Sequence, residues 1–83
     1  MIELYDILTL ENEKQYTVVK KLSYNDYEYY FLIEVDENED LLEEQMIVKK
    51  VVVEGEVGVA PITDEEEFEK VKDIFIDMLY QTK

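Results

Sequence analysis

The sequence contains no cysteine, no histidine, no arginine and no tryptophan. Each absence removes a class of chemistry. Without cysteine there can be no disulfide staple and no thiolate metal site. Without cysteine and histidine the commonest general base and the most potent nucleophile are both missing. The eight cations are all lysine, set against 22 Asp and Glu, for a formal net charge of −14. Nucleic acids are gripped through their phosphates by basic patches, and a field of this sign repels them. It disfavours anionic membrane surfaces equally. The sequence shows no basic-then-apolar leader and no apolar run of about 18 residues, so a soluble cytoplasmic protein is expected. Glycine and proline are scarce and confined to one place, Gly55, Gly58 and Pro61.

What is present argues for a folded domain. The 83 residues suit a single domain, and 47% hydrophobic content with ten aromatics suits a packed core. Strands are expected at 2–10, 15–22, 27–35, 46–53 and 57–62. Polar turns separate them at 11–14, 23–26 and 54–56, with a longer acidic connection at 36–45. The clearest strand is 27–35, where Tyr27, Tyr29, Phe31, Ile33 and Val35 fall on one face. Tyr27 and Tyr29 are read as core residues. From Thr63 the period changes to that of a helix over 64–80. Thr63 and Glu66 have the spacing of a capping box, and the acids at 64–67 suit the positive end of the helix dipole. Phe68, Val71, Phe75, Met78 and Leu79 make one apolar stripe, with Glu66, Glu69, Asp73 and Asp77 on the opposite side. The expected fold is therefore α+β, a mostly antiparallel sheet of about five short strands with a C-terminal amphipathic helix packed on one face.

The run Ala60-Pro61-Ile62-Thr63-Asp64-Glu65-Glu66-Glu67-Phe68, followed by Val71, Phe75 and Leu79, resembles the C-terminal hallmark of the YrzB-like family of small acidic bacterial proteins. Leu8 to Glu13 resembles that family's opening strand and acidic turn. Tyr29 to Val35, with the acids at Asp36, Glu37, Glu39 and Asp40, resembles its central strand and acidic loop. The resemblance spans most of the chain, from about Leu8 to Leu79. Two features depart from the pattern: ENEK stands where members often carry a glycine, and Leu41 and Leu42 interrupt the acidic run. The family is a domain of unknown function, so the resemblance implies a fold and supplies no activity.

Three candidate sites follow from the residues themselves. Asp36, Asn38 and Asp40 are spaced like the first ligands of an EF-hand calcium loop. That loop also needs glycine at position 6 and a bidentate glutamate at position 12. Leu41 and Ile47 stand there, and the flanks read as strands, so a solvated connection is preferred and no metal or cofactor is expected. No carboxylate pair sits in a recognisable pocket and no glycine-rich phosphate loop occurs, so no catalytic residue is assigned. The strands look apolar on both faces, yet one helix can cover only one of them. The second face, centred on Tyr30 and Leu32, is expected either to meet a protein partner or a second copy of the chain, or to be covered by curvature of the sheet and its loops. Leu41 and Leu42 are the other apolar candidates, since a purely solvated loop has no need of them. Glu66, Glu69, Asp73 and Asp77 form an acidic helix face that would suit a basic partner.

The reading of the whole is a non-catalytic interaction or accessory module. The alternative is an acidic mimic that occupies a nucleic-acid-binding protein, with a carboxylate enzyme a distant third.

Overall fold

The computed structural model describes residues 2–80. Five strands form one antiparallel meander: β1 (Ile7–Thr9), β2 (Gln15–Tyr24), β3 (Tyr27–Val35), β4 (Leu41–Val53) and β5 (Glu56–Pro61). The helix α1 (Glu65–Tyr80) follows directly. The α+β architecture read from the pattern is the one observed.

The four turns come in two kinds, and each follows from its residues. β2 and β3 are joined by Asn25 and Asp26 (φ 56° and 69°), and β4 and β5 by Glu54 and Gly55 (φ 52° and 83°). Two-residue hairpins with both central φ positive match the strand twist, and Asn, Asp and Gly tolerate that conformation best. The other two turns share a second geometry. At 10–14, the Leu10 N–H donates to Lys14 O and the Glu13 N–H to Leu10 O, with Glu13 at φ 67°. At 36–40, the Asp36 N–H donates to Asp40 O and the Glu39 N–H to Asp36 O, with Glu39 at φ 64°.

That equivalence shortens the acidic connection. The chain re-enters the sheet at Leu41, so the expected connection 36–45 is a five-residue turn followed by the first residues of a 13-residue strand. At the N-terminus the correction runs the other way. The expected strand 2–10 is reduced to Ile7–Thr9, because a turn with Tyr5 at φ 69° breaks it.

The sheet buries both faces. On one, Tyr16, Val18, Tyr30, Leu32 and Val48 form a closed cluster. Ile2, Leu8 and Leu10 from the N-terminal segment pack on it, as does Val59 from β5 at the opposite edge. Residues from both edges meeting on one cluster describe a curled sheet, and bulges in β2 after Val18 and in β4 before Gln45 allow the bend. On the other face Tyr29 and Phe31 pack with Val71 and Phe75 of α1, the two phenylalanine rings 5.9 Å apart.

The helix cap differs by one residue from the expected box. Asp64 is the cap: its Oδ1 accepts the N–H groups of Glu66 (2.9 Å) and Glu67 (3.2 Å). Thr63 lies outside. A carboxylate at this position satisfies two free helix donors and also complements the dipole.

Candidate interaction groove

The curl decides the fate of the first expected surface. Tyr30 (1% exposed) and Leu32 (fully buried) lie inside the cluster beneath the N-terminal segment. They are not available to a partner. Of the two outcomes open for the second face, curvature is the one realised. Tyr27 is a correction in the other direction: it sits at the hairpin end of β3 and is half exposed.

The acidic turn is equally specific. Asp36 Oδ1 accepts the N–H groups of Asn38 (2.8 Å) and Asp40 (3.0 Å), so this carboxylate closes its own turn. In the β1–β2 turn Asn12 Oδ1 accepts the Lys14 N–H at 3.0 Å, the same device. The alternating Asp-Asn-Asp pattern is turn chemistry of the kind these side chains favour. Among the described residues no group of three or more Asp or Glu is arranged to hold a metal ion.

At the start of α1 a polar cluster ties helix to sheet. Glu67 accepts a hydrogen bond from the Tyr29 hydroxyl and lies 3.0 Å from the Lys49 ammonium. That ammonium also sits 3.9 Å from the centre of the Tyr27 ring. The Tyr29 bond, then Lys49, holds the Glu67 carboxyl below its usual range, while burial and the same bond push the Tyr29 phenol well above its own. Burial and a hydrogen bond to Glu28 push Tyr30 up to about 12. These shifts fix the Glu67 carboxyl as charged and the two phenols as neutral. None is moved toward exchanging a proton near neutral pH.

A further concavity lies elsewhere, between α1 and the sheet. It is an apolar groove of about 520 Å³. Phe31 and Phe75 form its floor, and Gln45, Met46 and Ile47 of β4 one wall. Pro61 and Ile62 close the end where β5 gives way to the helix, and Phe68, Lys72, Ile76 and Leu79 form the helical wall. It exists because β4 outruns its neighbour. β5 pairs with residues 48–53 only, so Gln45, Met46 and Ile47 line the groove without a second partner strand. Ile76 and Leu79 are exposed (40% and 43%) along its lip, although periodicity placed Leu79 in the packed stripe.

Acids border both sides. Glu69 and Asp73 are the i−3 neighbours of Lys72 and Ile76 on the helix surface, and Glu43 and Glu44 precede Gln45 on the strand. All four are exposed. Lys72 is the one charged residue in the lining, and its ammonium pairs with Glu69 at 3.0 Å. The four expected helix acids, Glu66, Glu69, Asp73 and Asp77, are all exposed along one side of α1. Leu41 and Leu42 remain exposed (61% and 41%) at the start of β4, outside the groove itself.

Sequence reasoning missed Ile76 and Gln45, Met46 and Ile47 as surface-forming residues. Ile76 follows Phe75 in sequence but lies outside the apolar stripe read from the spacing. The wall on β4 depends on where β5 stops, and no local signal carries that.

A family model described as protein of unknown function (DUF1292) matches residues 11–80, and the chain belongs to that family. Searches of curated proteins and of solved structures found no match. No helix among the described residues is long and apolar enough to cross a membrane.

Proposed function

We propose that this chain is a YrzB-like bacterial protein acting in the cytoplasm as a non-catalytic interaction module. Its working surface is the groove between α1 and β4, and its partner carries apolar anchors flanked by basic residues. The observation that supports this most directly is the combination of an apolar trough, with Ile76 and Leu79 exposed, and exposed acids close in sequence to its lining on both α1 and β4. Apolar anchors supply affinity, while the surrounding charge selects the partner and speeds the encounter.

A second reading rests on the four exposed acids of α1 alone. Such an array would occupy the phosphate-binding surface of a nucleic-acid-binding protein as a mimic. One experiment separates the two: capture from lysate at low and high salt, with wild type, Ile76→Glu and the quadruple Glu66→Gln, Glu69→Gln, Asp73→Asn, Asp77→Asn variant. The groove reading expects Ile76→Glu to lose the partner without loss of thermal stability, and some capture to survive high salt. Mimicry expects capture that salt and the quadruple variant abolish and Ile76→Glu spares.

A further inference from the structure

The groove has a feature that its apolar lining does not explain. Its strand wall is an unpaired β edge. β4 runs for 13 residues, and β3 pairs with it on one side at 45–49 and, past the bulge before Gln45, again at Leu41. On its other side β5 reaches only as far as the pair Val48–Pro61. Residues 41–47 therefore present one free edge, and no described strand pairs with it. Pro61 ends the neighbour by necessity, because it donates no backbone hydrogen bond, and the chain then rises into the helix.

An unpaired edge is a template for another strand. Here it lies alongside an apolar trough roofed on one side by a helix, which is the arrangement used when an extended peptide adds to a sheet. The main chain then gives hydrogen bonds, and alternate side chains enter the groove. We propose that residues 41–47 of β4 accept an extended basic strand from a partner protein, laid in line with β5 beside Ile76 and Leu79. The proposal rests on the interaction-module reading above and specifies the form of the partner.

Charge selects the occupant. Asp40, Glu43 and Glu44 lie on or next to the edge, with Glu69 and Asp73 across the groove, and all are exposed. A symmetric pairing of two copies about the middle of the stretch would set Glu44 against its own counterpart, in a molecule already at −14. Like charges placed opposite one another destabilise a strand pair, and opposite charges stabilise it. The acids thus protect the edge from a second copy and admit a lysine- or arginine-bearing strand. β5 has a free outer edge as well, but it is shorter and is closed at one end by Pro61.

The test uses the intact protein and a capped heptapeptide of alternating lysine and valine. Two controls accompany it: the same peptide N-methylated at alternate residues, and one with glutamate in place of lysine. The first peptide is expected to slow amide exchange within 41–47 and to shift the methyl resonances of Ile76 and Leu79. N-methylation, which removes several main-chain hydrogen bonds without changing charge, is expected to weaken binding about tenfold or more. The glutamate peptide is expected not to bind. Equal binding of the methylated peptide, or millimolar lysine–valine peptide that leaves the 41–47 amides unprotected, overturns strand addition. Failure of the broader reading looks different: Ile76→Glu would then leave capture from lysate unchanged.

Discussion

Leu32 and Leu41 show how little a single leucine says until its surroundings are known. Leu32 lies in an apolar strand and Leu41 ends an acidic run, and both are interaction candidates by sequence. Leu32 is fully buried between Val18 and Met46 in the strand register, whereas Leu41 is 61% exposed where β4 begins. Leu32→Ala is expected to cost about 3 kcal/mol, the usual range for a leucine emptied from a core, and Leu32→Glu to prevent folding. Leu41→Glu is expected to change stability by less than about 0.5 kcal/mol. Thermal melts of the three variants check this directly.

Glu67 gives the second residue-scale prediction. Its folded-state pKa lies below its ordinary value, so it stabilises the fold above that ordinary value, near 4.5. The contribution is lost as pH falls through the lower, folded-state value. Wild type should therefore exceed Glu67→Gln in stability at neutral pH, and the gap should close below about pH 4.5. Denaturant unfolding of both proteins across pH 3–7 tests the sign. A gap that widens toward acid contradicts the Tyr29–Glu67–Lys49 cluster.

At the scale of elements, much of the fold was legible. The period of 2 in 27–35 and the shift to helical spacing after Thr63 marked β3 and α1 almost to the residue. Asn25-Asp26 and Glu54-Gly55 marked both tight hairpins. The acidic run misled, because charge density there suppressed the strand signal of residues 41–45. Leu41 and Gln45 there are held by pairing with β3 on either side of a bulge, not by their own preference. The groove was illegible for the same reason. It depends on β4 being long and β5 short, a relation between two elements that no window of sequence contains. The cap prediction also belongs here. Asp64→Ala is expected to destabilise by about 1 kcal/mol, and Thr63→Ala by much less, since Asp64 satisfies the first N–H groups of α1. The reverse order in chemical denaturation would restore the capping-box reading.

The molecule as a whole is governed by charge and curl together. A curled sheet uses its second face internally, which leaves the apolar groove at the flank of α1. A charge of −14 on so small a domain produces self-repulsion in the folded state. Added NaCl screens it within about a Debye length, so melting temperature should rise from low to moderate salt. A steady fall would mean that attractive pairs such as Lys49–Glu67 outweigh the repulsion.

The central claim is that one edge of β4 is open along residues 41–47. Native-state amide hydrogen exchange of the free protein tests it most directly. Alternating protection is expected from Gln45 to Ile47, where the register with β3 is regular: amides bonded to β3 exchange slowly and those on the free edge quickly. Val48 and Lys49, paired on both sides, should both be protected. Equal protection of every amide from 45 to 49 in a dilute, monomeric sample would mean that this edge is not open.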